Sequence, residues 1–290
     1  MIRRPVRTCL VGAIALTVPF ATAQTVVENF EDGLNQSGWS YFGSPGVPIE
    51  VIEASGGNPG RWLHSTCNST TLECLDTFAP QLRTPDFENT SPFLGNYRAA
   101  NVASIGCDLI LLDVNFSAGG RPLTLILRSF GETPDFFDDT AVYFIGSSNI
   151  PVVGEGWKSF DFGVPAQSLT LPAGWRVLQG TGNDNLDWNN TIRDVDQVTF
   201  FYGDPELFFI FQQWEPGADN LRVTRSLPGD MNCDGIVSVG DIAGFVLALT
   251  DPAGYAAQFP NCDINNADIN QDNVVSVGDI SGFVALLTGP

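Results

Sequence analysis

"CDLILLDVNF" at residues 107–116 and "PLTLILRSF" at residues 122–130 stand on either side of a Ser-Ala-Gly-Gly-Arg segment. Neither run shows the three- and four-residue apolar spacing of an amphipathic helix. Both are alternating or continuously apolar over a length that a strand can hold, and a turn segment parts them. The same texture returns in "AVYFIG" (141–146), "WKSFDF" (157–162), "VDQVTFFY" (195–202) and "LFFIFQ" (207–212), with Gly, Pro, Asn and Asp clusters between. Many short strands with such punctuation predict an antiparallel sandwich, and the length suits a jelly roll. Most of the 21 Phe belong to its core, and Trp39, Trp62, Trp157 and Trp214, on or beside strands, are assigned there too. The expected fold class is therefore an all-β jelly-roll sandwich over residues 24–226. A Pro-Gly break in "RSLPGD" (225–230) separates it from a small all-α module at 227–290.

The N-terminus bounds the compartment. Arg3, Arg4 and Arg7 precede an apolar run at residues 9–20, followed by "ATAQ" at 21–24, which reads as a secretory signal peptide cleaved after Ala23. The run is too short to span a bilayer, so membrane insertion is not expected. The mature chain is expected to be secreted and extracellular, or held at the cell surface. Without the three signal arginines it carries ten basic and 33 acidic residues, a net charge of −23. So acidic a surface repels phosphate backbones, which excludes nucleic acid as an expected partner, and it favours divalent cations. The hydrophobic share of 43% is ample for a packed core.

The acidity is not evenly spread. "DMNCDGIVSVGD" (230–241) and "DINQDNVVSVGD" (268–279) repeat one phrase 38 positions apart. Each places oxygen-bearing side chains at loop positions one, three, five, nine and twelve: Asp230, Asn232, Asp234, Ser238 and Asp241, then Asp268, Asn270, Asp272, Ser276 and Asp279. This is calcium-loop spacing, in which about six to eight oxygens surround a hard dication. The backbone carbonyls of Ile236 and Val274 would fill position seven, and the two serines would act through water. Gly235 supplies the sharp turn at position six, and Asn273 replaces it in the second loop. Two Ca2+ ions are therefore the expected cofactors. After each loop, Ile242, Phe245, Val246 and Leu249, and likewise Ile280, Phe283, Val284 and Leu287, recur at helical spacing. The spacer holding "PAGYAAQFP" (252–260) could form a short helix of its own.

Loop then helix, twice, with no helix before the first loop, resembles the type I dockerin domain. The resemblance covers residues 228–290 and implies a calcium-dependent helical module that docks onto a cohesin-like or other scaffold protein. This chain departs from that pattern at loop positions ten and eleven. They hold Val239 and Gly240, or Val277 and Gly278, where a Ser or Thr pair is usual, and no Lys or Arg follows Asp230. Docking would then rest on apolar packing more than on salt bridges.

Cysteine usage fits an oxidising compartment. Cys233 and Cys262 are the one pair in the repeat module and are predicted to bond. Cys67 and Cys74 flank a polar stretch and are predicted to pair across a hairpin-like loop. Cys107 is left over as a buried thiol.

"VVENFEDGLNQSGW" (26–39), "SGGNPGRWLHS" (55–65), "GEGWKSFDF" (154–162) and "GADNLRV" (217–223) resemble bacterial jelly-roll modules of the carbohydrate-binding and laminin-G-like kind. That resemblance implies polysaccharide as a partner. It also implies a structural calcium between the first and last strands, which nominates Glu31 or Asp32 together with Asp219; turn formation is the equal alternative for these acids. The preferred ligand loop is "GNDNLDWNN" (182–190), where Trp188 could stack on a sugar while Asp184, Asn185, Asp187 and Asn189 take its hydroxyls. The competing expectation folds Trp188 back onto the sandwich.

No catalytic residue is assigned. His64, the one histidine, has no nucleophile elbow beside it. Glu50, Glu53, Asp194 and Asp196 read as strand-edge acids. A non-catalytic binding role ranks above a glycoside hydrolase or lyase, and a structural envelope role stands third.

Overall fold

The computed structural model describes residues 24–42, 49–66, 75–85, 91–131, 138–259, 262–270, 272 and 274–288. Residues 1–23, where a signal peptide is expected, the predicted Cys67–Cys74 pair and Asn273 lie outside the described residues.

Two antiparallel sheets face each other. The strands are β1 (Gln24–Glu28), β2 (Ser40–Phe42), β3 (Ile49–Gly57), β4 (Gly60–Thr66), β5 (Leu75–Thr77), β6 (Gln81–Arg83) and β7 (Val102–Val114). Then follow β8 (Pro122–Ser129), β9 (Thr140–Asn149), β10 (Lys158–Gly163), β11 (Trp175–Gln179), β12 (Gln197–Phe201) and β13 (Gln212–Arg225). The first sheet runs β10-β7-β13-β4-β3, with β1 and β5 also paired to β13, and the second runs β11-β9-β8-β12-β6-β2.

The last strand organises the first sheet. One edge of β13 pairs along β7, while the other takes β5 at Gln212–Trp214, β4 at Gly217–Ala218 and β1 at Leu221–Arg225. Its register with β7 shifts between Glu215 and Pro216. Proline has no N–H to give a ladder, so a strand tolerates it at such an irregularity.

Period-two alternation sets the inside. On β7, Ile105, Cys107, Leu109 and Leu111 enter the core, where they meet Leu125, Leu127, Val142, Val198 and Phe200 of the second sheet. Trp39 lies in the same core, stacked on Phe200 at 5.7 Å and edge-on to Phe93 at 5.1 Å. Cys107 is a buried free thiol, as expected. Tyr41 and Tyr202 share a hydroxyl hydrogen bond of 3.0 Å in the interior. Beside them the carboxylate of Glu50 accepts the Tyr41 N–H, and burial pushes its carboxyl up to about 7.

Two expectations fail. The apolar run at 207–211 is not strand, and β13 begins only at Gln212. The Leu207 N–H bonds the Asp204 carbonyl to close a turn. Beyond it successive rings go to different partners: Phe209 lies under the Arg121 guanidinium, while Phe208 and Phe211 meet Phe78. The expected ligand loop is instead a helix, α1 (Asp184–Arg193), packed on β8, β9 and β11 of the second sheet.

After β13 the described chain is loop and helix. Helix α2 (Ile242–Thr250) follows the first repeated loop and α4 (Ile280–Thr288) the second, with a short α3 (Pro252–Gln258) in the spacer. Met231, Phe245, Ala248, Tyr255, Ala267 and Phe283 form a second, separate core. Phe245 and Phe283, equivalent in the repeat, stack with ring centres 4.0 Å apart. Cys233 and Cys262 are disulfide-bonded, as predicted. No described helix is long and apolar enough to cross a membrane.

Candidate functional site

The two repeated loops carry nearly the same hydrogen-bond pattern. In the first, the Met231 and Asn232 N–H groups donate to Asp241 Oδ1, and Ser238 N–H donates to Oδ2 at 2.7 Å. In the second, Ile269, Asn270 and Ser276 do the same to Asp279. Asn232 Nδ2 donates to Asp234 Oδ2 at 2.9 Å, and Asn270 Nδ2 to Asp272 Oδ2 at 3.0 Å. The Ile236 and Val274 N–H groups bond Asp234 Oδ1 and Asp272 Oδ1. Ser238 and Ser276 cap the Gly240 and Gly278 N–H groups, each at 3.1 Å. Gly235 has φ +87°, the left-handed turn expected at position six.

The closing aspartates thus serve as helix-start caps, with carboxylates held by backbone donors. The first-position aspartate differs. Asp230 is buried, with Oδ2 accepting the Gly235 N–H while Oδ1 finds no partner. Burial, and then the charges of Asp241 and Asp234, push its carboxyl up. An orphaned buried acceptor costs about 1–3 kcal/mol, more when charged, unless something supplies positive charge. Among the described residues no three Asp, Glu, His or Cys side chains gather as a metal site by themselves. Each loop nonetheless carries three aspartates in its sequence, Asp230, Asp234 and Asp241 in the first, and adds the Asn232 side chain and the Ile236 carbonyl as oxygen donors of the right hardness. The donor chemistry fits a dication held by Asp230, Asn232, Asp234 and Asp241, with Asp268, Asn270, Asp272 and Asp279 as counterparts.

The acids nominated on the sandwich behave otherwise. Asp32 Oδ1 accepts the Leu34 N–H at 2.9 Å and Oδ2 accepts from Gln36, so it forms a turn. Glu31 accepts the Arg61 N–H, and the buried Asp219 accepts from Asn58 and Asn220, each at 2.7 Å. Glu31 and Asp219 therefore flank one turn, at 57–60, and burial lifts the Asp219 carboxyl to about 6.

Trp188 is a correction. It is 0% exposed, stands edge-on to Trp175 at 5.1 Å and donates Nε1–H to the Ser168 carbonyl. Asp187 takes the Thr181 N–H and hydroxyl, Asn185 takes the Leu171 N–H, and Asn189 binds Arg98 and the Leu169 carbonyl. Asp184 sits in the first turn of α1, whose cap is Asn183. These polar groups pin neighbouring loops, so this segment offers no sugar platform.

A different constellation lies on the outer face of the first sheet. Leu63 points into the core, so its neighbours Trp62 and His64 point out. Trp62 lies over Gly217, where a Cβ would come within 2.2 Å of its ring. His64 stacks on Trp62 at 4.6 Å, and Trp157 meets Trp62 edge-on at 5.4 Å. The two ring nitrogens of His64 lie 2.9 Å from Glu53 Oε1 and 3.0 Å from Glu215 Oε1. The expected burial of Trp62 holds, at 6% exposed, while Trp157 is only half-buried, and the sequence reading of His64 noted no nucleophile beside it. Period two along "RWLHS" would have put Trp62 and His64 together, opposite Leu63.

No family model matches the sequence, and neither does any curated protein. Among solved structures, the L4b domain of human laminin alpha-2 is similar at TM-score 0.42 and 10% identity, over 71% of this chain and 98% of that one. A family 11 carbohydrate-binding module from Clostridium thermocellum, in complex with a beta-1,3-1,4-mixed-linked tetrasaccharide, gives 0.39 and 10%, over 71% and 98%. The K3 cleaved adhesin domain of Lys-gingipain from Porphyromonas gingivalis w83 gives 0.32 and 14%, over 69% and 98%.

Proposed function

We propose that this is a secreted, non-catalytic protein whose sandwich binds polysaccharide or a surface matrix and whose repeat module docks, in a calcium-dependent way, onto a scaffold protein. The observation that carries the reading is the buried, unpartnered Asp230 Oδ1 at the head of a loop whose hydrogen bonds recur in its repeat. Calcium would replace the mutual repulsion of the loop carboxylates with shared coordination.

The docking surface is apolar and doubled. Val239 and Val277 are each 78% exposed, and Ile242 and Ile280 are 44% and 43% exposed, so each repeat presents the same uncharged stripe. Such patches mark interaction sites. On the sandwich, the aromatic and carboxylate cluster of the first sheet's outer face supports a binding role.

The mature protein, passed over immobilised polysaccharides with and without chelator, tests this reading. Retention on at least one polysaccharide without released sugars, unchanged by chelator, is expected, because the sheet face needs no metal. Released sugars, or retention on none of them, would overturn it.

A further inference from the structure

We infer that the outer face of the first sheet, around Trp157, Trp62, Glu53 and Glu215, is a built binding site for an uncharged glycan chain. This rests on the binding reading above and names where the sugar lies and of what class it is. The site crosses the first sheet in the order β10-β7-β13-β4-β3. Trp157 immediately precedes β10, Ile110 is on β7, Glu215 on β13, His64 on β4 and Glu53 on β3. Helix α1 packs on the other sheet and does not compete for this face.

Trp62 is only 6% exposed and serves as the floor. The half-buried Trp157, fixed by its Nε1–H bond to the Gly56 carbonyl, offers the accessible ring, and Leu112 is exposed nearby on β7. An indole held at its N–H and edge-packed on a second indole is a pre-oriented apolar surface, which costs little ordering entropy on binding. Around it the polar groups are acceptors. The Glu53 and Glu215 side chains are 39% and 25% exposed, and each spends one oxygen on His64. Their remaining lone pairs can take sugar hydroxyl hydrogens.

Charge decides the ligand class. The described cations next in sequence to the floor are turned away: Arg61 lies against Gly33, and Lys158 reaches Glu155. His64 has both ring nitrogens occupied. Uronate or sulfated chains would meet two carboxylates whose shared cationic partner, His64, is already engaged at both ring nitrogens, whereas a neutral polyol meets acceptors.

Affinity electrophoresis of the mature protein through gels holding uncharged glycans (glucans, xylans, mannans, galactans) or anionic ones (alginate, polygalacturonate) tests this. Retardation by an uncharged glycan is expected, weakened at least about tenfold by Trp157→Ala and by Glu215→Ala, and unaltered by Phe208→Ala, whose ring packs on Phe78. Thermal unfolding of each variant identifies any that fails to fold, and the other substitution then decides. Binding to an uncharged glycan that survives both substitutions overturns this site but leaves the binding reading standing. Retardation by anionic glycans alone overturns the ligand class. Retardation by no glycan removes the binding reading itself.

Discussion

Glu50 shows how one side chain ties stability to pH. Its carboxyl is raised from 4.5 to about 7 by burial, which outweighs the Tyr41 N–H bond favouring the charged form. An acid raised in the folded state binds its proton more tightly there. Its stabilising effect is therefore complete below about pH 4.5 and is lost as pH rises towards about 7. Denaturant unfolding across that window should show Glu50→Gln losing less stability with rising pH than the parent protein; equal slopes would contradict the assignment. Trp188 makes the complementary point. With no exposed surface and a hydrogen-bonded indole, Trp188→Ala should cost about 3–5 kcal/mol in urea unfolding and leave glycan retention unchanged in the variant that folds. The sequence around Trp188 looked like a wet loop because its Asp and Asn residues are polar. Apart from Thr181, which directly precedes the segment, their partners Leu171, Leu169 and Arg98 lie outside it and give no local signal.

At the scale of elements, legibility followed periodicity. The strands at 107–114, 122–129 and 141–146 and both helices after the repeated loops were readable because their apolar spacing reflects one buried side. The run at 207–211 misled because an unbroken apolar series carries no alternation, and its rings split between Arg121 and Phe78. Helix α1 was missed because its buried stripe is only Asp187, Trp188, Thr191 and Ile192. In the repeat module the face-to-face Phe245 and Phe283 couple the two helices, so Phe283→Ala should cost about 3–5 kcal/mol and reduce helical circular dichroism. The Cys233–Cys262 bond closes a loop with a sequence separation of 29, which loop-closure entropy values at about 3–4 kcal/mol. Replacing Cys233 and Cys262 together by serine should therefore lower the unfolding midpoint of the repeats and leave that of the sandwich in place; a shift of both together would contradict their separate cores.

Over the whole molecule, a sheet face of aromatic and carboxylate side chains and an acidic, duplicated module sit on one chain of net charge −20. The duplication was fully legible in the sequence. The outer sheet face was not, because it is assembled from strands that are adjacent only after folding. Asp230→Ala with Asp268→Ala should reproduce the effect of chelator on thermal unfolding of the repeats, since both remove the attraction that holds each loop closed. The most direct test is equilibrium dialysis of the mature, chelator-stripped protein against millimolar calcium, with the metal counted per chain. One ion retained per loop is the result expected here. Calcium at the level of the dialysis buffer alone would contradict it.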